Sequence, residues 1–478
     1  MGEAQGELKG LGFNRAVRVE ARDERLTDVA GAVLVREGLE RLGIRKLLRE
    51  RLHDPRDASA VRYRMDELVT SRVCLIAAGC GDQDDADVMR HDPALRLASS
   101  ARQGQAALRD DGAIASQPTM SRNLAILAGS HNRGVLHDVL LEQASRRMLR
   151  ANGGRRQKRL TIDVDGFPIE TAGHQSGSAY NGYYSQTMFH PLVAIAGETG
   201  DLLDVTLREG NAHAAEALGP FVERLVHGVL GRACESVLVR MDAGMVGEST
   251  LAAIEETGAD YVARVRNNEA LDKRAAEHLK RPVGRRTNEP REWMHEIDHQ
   301  PGTWTRKRRL ILVVQERPGD LYLHHFWLVT SLKPEAHDAA AVLERDRRRG
   351  CAEARIGEFS DVLAPHLSSA ARGRFSPHDT DFIGPIRAED RPDFAANEAT
   401  LLLHAVAYNA MHALRTLLPT QDSDEAWSLR RLRERVLNVA GRVLLHARRV
   451  QLVVTAASHH YWRQLWRRLP RLDPPVAA

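Results

Sequence analysis

The stretch RLTIDVDGFPIE (residues 159–170) constrains this chain more than any other. A short apolar run with β-branched residues predicts a strand. Strand side chains alternate between faces, so Leu160, Ile162 and Val164 point one way and Thr161, Asp163 and Asp165 the other. Two carboxylates on one strand face are costly unless they are solvated, hydrogen-bonded or neutralised by a cation. On this stretch alone two readings stand: a half-exposed strand with a polar face, or a site that gathers cations.

The pattern on either side of this strand differs. Upstream, TDVAGAVLVREGLERLGIRKLL, DELVTSRVCLIAAGC, DDADVMRHDPALRLA and residues 131–150 carry apolar positions at three- and four-residue spacing, which predicts helices. IASQPTMSRNLAILAGS (114–130) could be the second half of a helix-turn-helix. ANGGRRQKR (151–159) reads as a linker and a domain boundary. Downstream, residues 190–200 and 201–210 predict a hairpin, 211–230 a helix, SVLVRMD a strand, 247–258 a helix and DYVARVR a strand. That order predicts an α/β core with a mixed sheet over 159–266 and 335–365. Residues 267–334 predict a β-rich insertion, beginning with a charged, irregular stretch. Helical runs at 397–418 and 427–447 predict a helical, basic C-terminal region over 393–478. Residues 1–25 read as a flexible lead and 371–392 as irregular.

At 478 residues the chain exceeds one ordinary core. No apolar run reaches membrane-spanning length, and the N-terminus lacks the apolar centre of a signal peptide. The four cysteines form no CxxC pair, which excludes a zinc ribbon or disulfide framework and fits a reducing compartment. Net charge is only +4, yet residues 428–471 hold eleven arginines and one acid, Glu434. Such a tract suits nucleic acid, or is a solvated surface of the last helices.

Three acids stand at informative places. Asp165 lies on the first core strand, Asp242 ends the fourth, and Glu353 lies in the helix after the insertion. In the inferred ribonuclease-H-like topology the first and fourth strands are neighbours, which would bring the three together. Around them, LTIDVDGFPIETAGHQSGSAYNGYYSQTMFHPLVAIAGETGDLLDVTLREGNAH, VRMDAGMVG, RGCAEARIGEF and FAANEATLLLHAVAYNAMHALR occur in that order, after ASQPTMSR. In these blocks, and over nearly its whole length, the chain resembles DDE insertion-sequence transposases of the cut-and-paste group with a β-strand insertion.

The resemblance implies a DNA transposase that cleaves and joins transposon ends by two-metal phosphoryl transfer. It implies Asp165, Asp242 and Glu353 as catalytic residues and ligands of Mg²⁺, or Mn²⁺ in its place. Asp165 takes the family's position at the end of the D-x-D pair, with Asp163 about 7 Å away on the same face as a supporting acid or the ligand itself. The implied partners are double-stranded DNA, as terminal inverted repeats and target, and a second copy in a homodimeric paired-end complex. No membrane is implied, and the expected location is the bacterial cytoplasm, on the nucleoid. The family's Tyr-Arg-Glu-Lys signature places its Arg at Arg349; its Tyr and Lys positions hold Asp346 and Ser360. Arg349, Arg355 and Arg122 are the expected DNA contacts, and Arg347 and Arg348 could also meet phosphates. Two alternatives remain at this stage: a catalytically inactive, transposase-derived DNA-binding protein, and a ribonuclease-H-like nuclease.

Other side chains carry weaker signals. His174 and Gln175 suit a DNA contact or a turn. His324 and His325 are adjacent on a strand and point apart. His459 and His460 have no matching metal partners. Trp293 and Trp304 suit core packing, or stacking on an extruded base. Cys351 reads as packing.

Overall fold

The structure is a computed structural model. It describes residues 12–14, 16–17, 22–109, 112–171, 173, 175–281, 283, 288–369, 391–419 and 426–473. His174, most of the lead and nearly all of the stretch expected to be irregular at 371–392 lie outside these residues.

The predicted strands assemble into one large mixed sheet. In chain order they are β1 (Leu160–Gly166), β2 (Leu192–Ala196), β3 (Leu202–Thr206), β4 (Val237–Met241), β5 (Asp260–Val265), β6 (Arg291–His299), β7 (Arg308–Glu316) and β8 (His324–Thr330). Their spatial order is β6-β7-β8-β5-β4-β1-β2-β3. β1 pairs parallel to β4 and β4 parallel to β5; β2 and β3 fold back antiparallel on the other side of β1. The first and fourth strands are thus neighbours, as expected.

The strands of the insertion do not form a sheet of their own. β8 pairs antiparallel with β5, Trp327 opposite Val265 and Thr330 opposite Val262, so β6–β8 extend the core sheet. The stretch read as irregular at its start contains a helix, Glu269–Ala276, capped by the Asn268 side chain accepting from Leu271 N.

Alternation on β1 follows the sequence reading. Leu160, Ile162 and Val164 face a core shared with the helices Leu218–Val229 and Glu248–Glu256. On the opposite side of the sheet, Val193, Ile195, Leu202 and Val205 pack against the helix Pro392–Thr416, which is buried over most of its length. The same helix packs against the upstream helices Ala32–Arg41, Met65–Ala78, Gln117–Leu127 and Ser130–Ala151. Polar side chains lock it to the sheet edge: Asn409 Nδ2 donates to Leu202 O and Asn409 Oδ1 accepts from Leu202 N, both at 2.8 Å. The upstream helices therefore share one core with the helix Pro392–Thr416 and the sheet. Gln117–Leu127, the candidate recognition segment, packs within this body and is joined by a short turn to Ser130–Ala151.

The helix expected over 427–447 is not formed. A helical segment runs from Leu429 to Leu437, and the chain then forms a hairpin, Gly441–His446 with Arg449–Val454. The segment Leu26–Thr27 pairs with its first strand. Arg448 and Arg449 stand at the exposed turn of that hairpin rather than on a helix. No helix of the described residues is long and apolar enough to cross a membrane.

Candidate active site

At the ends of β1 and β4 the two aspartates of β1 have different surroundings. Asp163 lies opposite Arg240 of β4 in register. Arg240 Nε and Nη2 donate to the two carboxylate oxygens at 2.6 and 2.7 Å, a bidentate pair. Arg240 Nη1 also donates to Arg345 O at 2.5 Å. Asp163 is 2% exposed and Arg240 5%. Burial pushes the Asp163 carboxyl above its ordinary range, opposed by the guanidinium. The pair is sealed and has no open side for a ligand.

Asp165, two residues on, sits where the strand runs out. Gly166 N donates to its Oδ1 at 2.9 Å, which orients the carboxylate. Gly166 is required there, because a Cβ would come within 2.7 Å of the His190 ring. Asp242 directly follows β4 and opens a short 3₁₀ turn. Glu353 stands on the helix Gly350–Glu358. These three acids from distant segments surround one guanidinium. Arg349 Nη2 donates to Asp165 Oδ2 at 2.5 Å, and Nη1 donates to Glu353 Oε1 at 2.8 Å and lies 3.7 Å from Asp242 Oδ1. The Asp242 and Glu353 side chains are open to solvent, at 51% and 57% exposure. Burial raises the Asp165 carboxyl, Arg349 opposes that, and Asp242 and Glu353 add to the rise.

Among the described residues, no three His, Cys, Asp or Glu side chains are gathered as a metal shell. The chemistry of the donor set nevertheless fits a hard divalent cation: three carboxylates, with no sulfur or imidazole. Arg349 already supplies a positive charge at their centre.

The other expected residues fall elsewhere. Arg355 is two positions beyond Glu353, about 200° around the helix, and packs over Gly200, where a Cβ would lie 2.0 Å from its guanidinium. Its charge acts on buried Asp201, away from the acids. Arg122 is exposed on the helix Gln117–Leu127, its Nε donating to Pro118 O. Asp346 is buried and paired with Arg264 at 3.1 Å, and Ser360 lies in a π-helical turn. Arg347 and Arg348 are engaged by Glu292 and Glu344. His324 and His325 pair with different acids, Asp320 and Asp272. Trp304 is buried against Arg308, and Trp293 packs partly buried on the same core. Cys351 is exposed, which corrects the packing assignment: the buried positions of its helix are Ala352 and Ile356, about 100° and 140° away around the axis.

Two residues near the acids were not found from sequence. Arg240 is a lone cation in the apolar run VLVRM; such a residue needs an acid on a neighbouring strand, and that was the available signal. Tyr184 belongs to YNGYY, an Asn-Gly turn between aromatic residues and thus a hairpin signal. It lies between the short strands Ala179–Asn181 and Gln186–Phe189. Asn181 Oδ1 accepts from Tyr183 N at 3.0 Å and fixes the turn. The Tyr184 ring meets the His190 ring edge-on at 5.8 Å. Its hydroxyl titrates high because it is buried, with Asp165 and Asp242 adding to the rise.

No curated protein matches the chain. Among solved structures, it is similar to a piggyBac transposase in a synaptic complex with hairpin DNA, at 12% identity over 96% of this chain and 90% of that one, with a TM-score of 0.39. The profile of the family described as transposase DDE domain, group 1, matches residues 9–371 and 387–474. With nearly its whole length matched, the chain belongs to the DDE transposase family.

Proposed function

We propose that this protein is a DNA transposase that cuts and joins transposon-end DNA at Asp165, Asp242 and Glu353. One observation carries the reading: three carboxylates from separate segments converge on a single cation at the mouth of the sheet. The sheet supports it, since the order β3-β2-β1-β4-β5 with β2 antiparallel is that of a ribonuclease-H-like core. Asp165, Asp242 and Glu353 would hold the divalent ions, Mg²⁺ or Mn²⁺. When bound, such ions polarise the scissile phosphate and make water or a 3′-hydroxyl nucleophilic near neutral pH. The chain's own residues do the rest. Gly166 N holds Asp165 in one orientation, Arg349 gathers the three carboxylates through Nη1 and Nη2, and the Tyr184 ring lies edge-on to His190, next to Gly166. Double-stranded DNA is the substrate, and a homodimer would hold two ends together.

Replacing Asp165, Asp242 or Glu353 singly with Ala tests this. Each variant should lose cleavage of a duplex carrying the DNA that flanks the coding sequence, with binding retained. Undiminished cleavage by any one removes that residue from the site. A second reading, a DNA-binding protein without activity, is favoured by Asp346 and Ser360 at the signature's Tyr and Lys positions. Asp346 is tied to Arg264 and cannot contact a DNA end without breaking that pair. Wild-type protein that binds the duplex but never cleaves it with Mg²⁺ or Mn²⁺ supports this second reading.

A further inference from the structure

We propose that Arg349 is the resident cation of the carboxylate cluster, that a divalent ion displaces it, and that the displaced guanidinium passes to a DNA phosphate. The inference rests on the metal-dependent reading above and adds a coupling that the reading does not require.

The geometry is that of a plug. Both terminal nitrogens of Arg349 are spent on the acids: Nη2 on Asp165, Nη1 on Glu353 with Asp242 at 3.7 Å. Among the described residues its side chain bonds to nothing else. A guanidinium does not lose its proton in a protein, so it can leave this position only by moving. The backbone permits that. Arg349 falls between the helices Ala339–Arg347 and Gly350–Glu358, and its side chain can swing out while Glu353 stays in place.

Charge explains why it should leave. Three carboxylates around one guanidinium leave a formal charge of about −2, and a divalent ion compensates more of it at a shorter distance than a spread-out cation does. Access is open, because Asp242 and Glu353 are half-exposed while the guanidinium is the enclosed member at 15%. Arg240 is the internal contrast, a guanidinium on the same face that bonds its acid through two nitrogens and a carbonyl through the third, with no exposed partner. Once displaced, Arg349 retains a planar fork of donors suited to a phosphodiester. Metal loading and DNA binding then share one side chain, and linkage makes their effects on each other reciprocal.

The test uses the full chain and Ca²⁺, a hard cation of the same class as Mg²⁺, so that binding is read rather than turnover. Calorimetry measures Ca²⁺ affinity of wild type, Arg349→Gln and Arg349→Lys without DNA. Fluorescence anisotropy measures affinity for a labelled duplex from the DNA flanking the coding sequence, with and without Ca²⁺. Arg349→Gln should bind Ca²⁺ roughly tenfold more tightly than wild type, within the usual range of coupling between sites. Arg349→Lys, which keeps one charge but loses the fork, should lie between them, and it carries the test if the Gln variant melts early. Ca²⁺ should raise wild-type affinity for the duplex, and that gain should shrink several-fold in Arg349→Gln. Ca²⁺ affinity that is the same or weaker in both variants overturns the proposal alone, as does an unchanged gain. No Ca²⁺ binding by any of the three proteins overturns the metal-dependent reading beneath it as well.

Discussion

Strand β1 carries two arginine–aspartate pairs two residues apart, and they make opposite use of the same chemistry. Asp163 and Arg240 are buried and bidentate, and each of the three guanidinium nitrogens donates a hydrogen bond. Asp165 and Arg349 sit where the strand ends, share the guanidinium with two solvent-facing acids, and leave those acids one free side. A buried ion pair repays its desolvation only when geometry and further hydrogen bonds are good, and removing one partner strands a charge. A half-open pair has little such penalty and can exchange its partner. The contrast is between an arginine that holds the sheet together and an arginine that is available for function.

The sealed pair gives the largest expected effect. Arg240→Ala leaves Asp163 without its cation in the sheet and should cost about 3–5 kcal/mol of stability, read by chemical denaturation. A loss near zero would put Asp163 in the open class and end the contrast. The C-terminal region extends the same division. Arg433 donates to Ala77 O at 2.9 Å, Ile76 O at 3.2 Å and Val362 O at 2.6 Å, closing the carbonyl end of the helix Met65–Ala78. Arg433→Ala should cost about 1–3 kcal/mol, because buried carbonyls lose their donor. Arg349→Gln should cost about 1 kcal/mol or less, since two of its three partners are solvent-facing and screened. A loss as large as that of Arg240→Ala would make Arg349 structural. Smallest of all, Arg448→Gln with Arg449→Gln at the exposed hairpin turn should change stability by less than about 0.5 kcal/mol. If the turn meets DNA, the same variant should flatten the salt dependence of duplex binding by roughly one to two counterions.

These comparisons also show what the sequence could and could not reveal. Alternation made β1 and its two faces legible, and the turn between β2 and β3 made their hairpin legible. The choice between Asp163 and Asp165 was not legible, because it depends on strand register. Arg240 is opposite Asp163 only because β4 pairs with β1 as it does. Arg349 and Glu353 share a face at four-residue spacing, whereas Arg355 turns to Gly200, a helical fact that proximity in sequence conceals. The strands of the insertion were legible, but their union with β5 was not, since nothing local specifies an edge partner. The missed hairpin at 441–454 has a similar cause. LRRLRERVLNVAGRVLLHA satisfies helical spacing, but Asn438 Nδ2 donates to Ala78 O, and Leu26–Thr27 offers a strand edge to the residues beyond. Both partners are remote in sequence. The eleven arginines of that region likewise read as one basic tract, yet Arg433 and Arg468 are bonded to the carbonyls of Ile76, Ala77, Val362 and Leu417.

The central claim is that β1 offers Asp165 to chemistry and keeps Asp163 for the fold. Thermal melting and duplex cleavage with Mg²⁺, measured side by side on Asp163→Asn and Asp165→Asn, test it most directly. The account predicts that Asp165→Asn melts close to wild type and yields no cleaved strand, while Asp163→Asn melts clearly lower and its folded fraction still cleaves. An Asp165→Asn protein that cleaves, beside an Asp163→Asn protein that is stable and inactive, would contradict it.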